Sequence, residues 1–164
     1  MKYTGKKLNE ISFPLGGIGS GSIGLAGNGR LKDWEIFNHP SKGSINGYTH
    51  FAVKAVKGEK LYTKVLNGDI ESELSGQFMK KFHEGFGYGP SHKTLCGMPH
   101  FRKCEFTGEF PIAKLKFSDD DFPGYINLTA FNPFVPLDDK NSSIPAAFFE
   151  IEVNNTENEE ITYH

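Results

Sequence analysis

The chain of 164 residues is one domain's worth, and its 15 Phe supply material for a sizeable core. Its 19 Gly and 9 Pro break it into short elements, which favours an all-β domain with many turns. A formal net charge of −2 and a pI near 6.3 exclude the electrostatic footprint of a nucleic-acid binder or a binder of anionic membranes.

In chain order, the first ten residues lack an apolar segment of signal-peptide type, and no run reaches transmembrane length. The default compartment is therefore the cytoplasm. Next comes the glycine-dense run Phe13-Pro14-Leu15-Gly16-Gly17-Ile18-Gly19-Ser20-Gly21-Ser22-Ile23-Gly24. Gly19 to Gly24 spell G-x-G-x-x-G, but a dinucleotide loop needs a strand before it and a helix after it. Here Pro14 precedes, and Asn28-Gly29, a strong hairpin-turn signal, follows closely. The better reading is a strand whose glycines allow a bulge or a close backbone approach.

Further along, 51–56 and 61–66 read as a hairpin about Gly58. The stretch 71–82 is the one candidate for a short helix, and 82–101 reads as a structured loop rich in Gly, Pro and His. Ala113, Leu115 and Phe117 alternate with Lys114 and Lys116, the period-two pattern of a half-buried strand. Asp119-Asp120-Asp121 and Pro123-Gly124 then reverse the chain. Ile126, Leu128 and Ala130 mark a second such strand, and Ala147, Phe149, Ile151 and Val153 a third, with Glu150 and Glu152 towards water. After the polar turn 154–160, Ile161 to His164 starts another strand, which implies half a hairpin with an open edge. The expectation is an antiparallel β-sandwich truncated at its C-terminal end.

Several segments together are specific. Pro14 to Gly24, Gly29-Arg30-Leu31-Lys32-Asp33-Trp34-Glu35-Ile36-Phe37-Asn38, Thr94-Leu95-Cys96-Gly97-Met98-Pro99-His100-Phe101, Phe110-Pro111-Ile112-Ala113, Ala130 to Leu137 and Ser142 to Ala147 occur in this order. In wording and order they resemble the N-terminal domain of glycoside hydrolase family 116, the family of non-lysosomal glucosylceramidases and microbial β-glucosidases. The resemblance implies a retaining β-glucosidase whose nucleophile and acid/base lie in a separate C-terminal (α/α)6 barrel. That barrel is the expected partner, with a β-glucoside as substrate. On this reading 1–164 is an incomplete N-terminal β-sandwich without catalytic residues, expected to be inactive alone and to shape one wall of the barrel's cleft. A free-standing carbohydrate-binding module is the alternative, and it requires an exposed row of aromatic residues.

Candidate chemistry can be weighed residue by residue. Gly17, Gly19 and Gly21 would let backbone approach a cleft closely, and Trp34 is of a type that stacks on sugars. The plainer reading is that these residues only pack the sandwich. Asp33 and Glu35 bracket Trp34, and on a regular strand their side chains would share a face about 7 Å apart. Parallel side chains on one strand do not embrace a sugar ring from two sides, so solvated positions beside a core tryptophan are preferred to a catalytic pair. His92, Cys96, His100 and Cys104 recur every four residues, a zinc-like set on a helix, yet Gly97 and Pro99 would interrupt that helix. A free buried thiol and a packed histidine are preferred to zinc, to a Cys96–Cys104 disulfide or to a thiol nucleophile. The aspartate run is read as a solvated turn in preference to a calcium loop, and no cofactor is expected. Three Asn-x-Ser/Thr sequons, at Asn127, Asn141 and Asn154, carry meaning only in a secreted chain.

Overall fold

The computed structural model describes residues 1–46, 48–69, 95 and 97–164. Among these the strands are β1 (Lys2–Thr4), β2 (Ser12–Leu15), β3 (Ser22–Ala26), β4 (Leu31–Glu35), β5 (Ala52–Lys57) and β6 (Lys60–Val65). They continue with β7 (Lys103–Glu109), β8 (Ile112–Ser118), β9 (Tyr125–Phe131), β10 (Phe148–Asn154) and β11 (Thr162–Tyr163). A 3-10 turn (Gly5–Glu10) and one short helix, α1 (Asp139–Ser142), are the helical pieces among the described residues. The helix expected over 71–82 lies outside the described residues, as does most of the loop expected over 82–101.

The strands form three antiparallel sheets, β1-β7-β8-β9-β10, β11-β5-β6 and β2-β3-β4, packed together as an all-β sandwich. Period-two patterning explains the five-stranded sheet. Ala113, Leu115 and Phe117 of β8 pair in register with Ala130, Leu128 and Ile126 of β9, and all six are buried. Lys114 and Lys116 face the other way, to water. Phe106 and Cys104 of β7 continue the buried face. Leu15, Leu25 and Leu31 of the small N-terminal sheet and Val53 and Ala55 of β5 join the same cluster, so the three sheets share one core. Each fully buried large apolar side chain contributes about 1.5–3 kcal/mol.

The expected hairpins form at the expected turns. β5 and β6 meet about Gly58, and β3 and β4 about Asn28-Gly29. At that second turn Gly29 has φ +92°, and an added Cβ would stand 2.5 Å from the Leu66 carbonyl and 2.7 Å from the Phe117 ring. Only glycine fits there.

The structure corrects three expectations. Of the glycine-rich run, residues 16–21 form a loop joining β2 to β3, and Gly24 is the only one of its glycines within a strand. The turn at 154–160 does not close a hairpin, because β11 leaves β10 and pairs with β5 in a different sheet. Asp119 is no solvated turn residue, since its side chain is wholly buried among cations. Phe101, Phe106, Phe117 and Phe122 are buried, whereas Phe37, Phe110, Phe134 and Phe148 are exposed.

Candidate functional site

Local pairing fixes the glycine-rich loop. Gly16 donates its N–H to Asn132 Oδ1 (2.7 Å), and Asn132 Nδ2 donates to the Pro14 carbonyl (2.9 Å). One buried amide side chain thereby clamps the entry to the loop at the end of β2. Farther out, the Ile18 N–H donates to the Ser142 carbonyl (2.8 Å), and Ser20 closes the tip onto the Gly17 carbonyl. Gly17 abuts the second partner so closely that a Cβ would stand 2.4 Å from the Ile144 carbonyl and 2.6 Å from Ser143 C. Gly21 backs onto Glu35 and Ile36 at the end of β4, with 3.0 Å from a built Cβ to the Glu35 carbonyl. Gly19, at the tip, has open space around it. The loop is thus held between two backbones and presents its own tip.

Beside the tip, exposed apolar side chains share a segment with the exposed polar residues Asp139, Lys140, Asn141 and Ser143. Ile18 is exposed, as are Phe134, Val135, Leu137 and Ile144 on the segment that the loop is bonded to. Ser142 ties that segment together, donating Oγ–H to the Val135 carbonyl and accepting the Val135 N–H. On the other flank, past β4, Phe37 is 92% exposed with φ +58°. Phe110 meets Phe134 edge-on at 5.3 Å, and Phe131 stacks on Phe148 at 5.2 Å. Ile112, Phe131 and Phe148 are register partners, so an apolar rung crosses the outer face of β8, β9 and β10.

Asp33, Trp34 and Glu35 do not form the regular strand that spacing suggests. Ser22 pairs with Glu35 but Gly24 pairs with Lys32, so one residue of β3 faces two of β4. Asp33 takes up the excess with φ +52°, a bulge in left-handed backbone. Its buried carboxylate accepts from Ser12 Oγ (2.5 Å) and the Gly43 N–H (2.6 Å). Burial alone would push this carboxyl up, but the Ser12 and Gly43 hydrogen bonds outweigh it and hold the carboxyl below the usual range. Lys42, bonded to Glu35 at 2.5 Å, holds that carboxyl low as well. A glycosidic general acid needs a raised pKa, so neither carboxyl suits that task. Trp34 packs against the core with its Nε1 enclosed and, among the described residues, without a hydrogen-bond partner, while its backbone N–H donates to Ser44 Oγ.

The other candidates are engaged elsewhere. His92 and Cys96 lie outside the described residues. Cys104 is a free thiol that donates to the Gly27 carbonyl, and burial pushes it up to about 12, far from a reactive thiolate. His100 places Nδ1 against the Met98 carbonyl and Nε2 against Asp69 Oδ1 (2.5 Å). The aspartate run is saturated by cations. Asp119 binds Lys64 and Arg102, Asp121 binds Lys64, and Asp120 binds Lys103. No group of three metal-ligating side chains occurs among the described residues. Neither does any helix long and apolar enough to cross a membrane.

The fold and the site together define a β-sandwich domain that carries a braced glycine loop with exposed apolar side chains beside it, next to two carboxyls, Asp33 and Glu35, that are both held low. A family model described as "beta-glucosidase 2, glycosyl-hydrolase family 116 N-term" matches residues 12–164, and the chain belongs to that family. Comparison with curated proteins gives no match.

Proposed function

We propose that this is the non-catalytic N-terminal domain of a retaining β-glucosidase of glucosylceramidase-like type, acting in the cytoplasm. It packs on a catalytic (α/α)6 domain of the same polypeptide and shapes that domain's β-glucoside cleft. Family membership supports the glycosidase lineage. The observation that carries the docking role is the loop 16–21, braced on two sides by backbone contacts while Ile18, Val135, Leu137 and Ile144 stand exposed around it. A braced loop with exposed apolar side chains beside it is the anatomy of an interface core. Gly17 and Gly21 serve it by close approach, Gly19 by leaving the tip bare, and Asp33 and Trp34 by fixing the β4 flank.

The test is expression of this domain and the proposed catalytic domain as two chains. They should co-purify, and Ile18→Asp with Val135→Asp should break the pair and lower kcat/KM on an aryl β-glucoside at least about tenfold. A catalytic domain that hydrolyses the glucoside equally well alone would overturn the reading.

The carbohydrate-binding alternative gains one observation, the apolar rung of exposed Ile112 and Phe148 about half-buried Phe131, with exposed Phe110 and Phe134 beside it. Thr129 and Glu150, one rung away, could accept or donate to hydroxyls. Calorimetric titration of this chain with a β-linked glucose oligosaccharide separates the two. Saturable heat that Phe148→Ala abolishes would favour a sugar-binding face.

A further inference from the structure

We propose that the free edge of β10 is a strand-addition site, and that its partner is an extended segment alternating basic and apolar side chains. The inference stands on geometry separate from the glycine loop. β10 pairs with β9 through seven consecutive residues without a bulge, from Phe148 to Asn154, and carries no proline. Among the described residues nothing pairs with its other side, so its outward N–H and C=O groups form a ready template.

Two further observations say what fits. On the core-side face, Ile151 is 43% exposed although its register partner Leu128 is 0% exposed. The apolar face of the sheet thus continues one strand farther than its cover, and an apolar residue opposite Ile151 would complete it. On the outer face Glu150 and Glu152 are both exposed. Asn127 Nδ2 donates to Glu152 (2.8 Å), and Glu150 has no ion-pair partner among the described residues. The opposite edge of the same sheet displays the completed arrangement. There β7 carries Glu105, and the added strand β1 brings Lys2 to it at 2.7 Å. Inside the sheet the same Glu105 faces Lys116 in register. Glu105 at one end of the sheet is thus matched by lysine, whereas at the other Glu152 has only the neutral Asn127 and Glu150 has no ion-pair partner among the described residues.

The same charges argue against a second copy of this chain as the occupant. Antiparallel self-pairing centred on Ile151 would set Glu150 of each copy opposite Glu152 of the other, a like-charge contact at cross-strand distance. A lysine-bearing strand reverses that sign at both positions.

The probe is a blocked seven-residue peptide alternating lysine and valine, titrated into the whole chain and followed by backbone amide NMR. Saturable shifts and slowed amide exchange should concentrate on residues 148–154. A glutamate-valine peptide of the same length should bind about tenfold more weakly or worse. The Glu150→Lys, Glu152→Lys double variant changes only exposed positions and should reverse that preference. Equal binding of the two peptides, shifts centred elsewhere, or an unreversed preference in the folded variant would each overturn the proposal. So would a β10-paired homodimer in sedimentation.

Discussion

Asp119 condenses more interactions into one side chain than the sequence suggests. Its carboxylate accepts from Lys64 Nζ (2.8 Å), from Arg102 Nε (2.8 Å) and Nη2 (2.6 Å), and from the Arg102 and Asp120 backbone N–H groups. Burial alone would push the carboxyl up, but the Arg102 and Lys64 hydrogen bonds outweigh it and hold the carboxyl far below the ordinary range. A depressed folded pKa gives stability that is fully present above the unfolded value, about 3.9, and is lost as pH falls towards the folded value. Asp119→Asn should therefore cost about 3 kcal/mol at neutral pH, because it strands the half of a buried pair that Lys64 supplies. Urea unfolding at several pH values checks this, since the gap between the native chain and the variant should narrow steadily on acidification below pH about 4. A gap of constant size would show that the ion pairs contribute nothing to it. Lys64 keeps Asp121 at 2.8 Å, so the loss stays below that of a wholly orphaned buried charge.

At the scale of elements, alternation made β8, β9 and β10 legible; in β8 and β9 period two survives to the burial pattern, whereas in β10 Ile151 on the apolar face stays exposed. The hairpins about Gly58 and Asn28-Gly29 were legible from turn chemistry. What the residues could not disclose was destination. β11 shows nothing in Thr162-Tyr163 that chooses β5 over β10, since two residues carry no register information of their own. β7 escaped notice because only Cys104 and Phe106 mark its buried face before Gly108 interrupts the pattern. The loop's glycines were visible as a run, yet the reasons for them differ and lie in the fold: Gly17 abuts the Ile144 backbone 127 residues away, Gly21 backs onto Glu35 and Ile36, and Gly16 turns with φ +135° against the Gly21 carbonyl. Asp33 and Glu35 misled because strand spacing assumes a regular strand, and the bulge at Asp33 breaks it. The Asn132 clamp is itself testable. Asn132→Ala leaves the Gly16 N–H and Pro14 C=O without their partner and should cost about 1–3 kcal/mol. Amide exchange at Ile18, bonded to Ser142, should quicken while β8 and β9 keep their protection. Uniform loss of protection across the five-stranded sheet would mean that Asn132 supports the whole sandwich and not the loop in particular.

At the scale of the whole molecule, apolar surface is unevenly spent. The three sheets bury one common core, yet Ile18, Val135, Leu137 and Ile144 remain exposed on segments bonded to one another, with Phe110 and Phe134 paired nearby. With a net charge of only −2, long-range repulsion does little to keep such faces apart. The isolated chain should therefore self-associate, reversibly and with concentration, through this face. Edge pairing of β10 is a poor route for it, because Glu150 and Glu152 would meet their own copies. Val135→Lys with Leu137→Lys replaces two exposed residues and should change folding stability by no more than about 0.5 kcal/mol each. Sedimentation velocity over a concentration series should then find the native chain shifting to larger species and the double variant remaining monomeric, with equal melting temperatures. On the docking role proposed above, the same two lysines, carried into the two-chain experiment, should also weaken capture of the proposed catalytic domain, because they put charge on the apolar face it would cover. A variant that loses self-association but still binds the catalytic domain undiminished would separate the two surfaces and move the docking site away from the glycine loop.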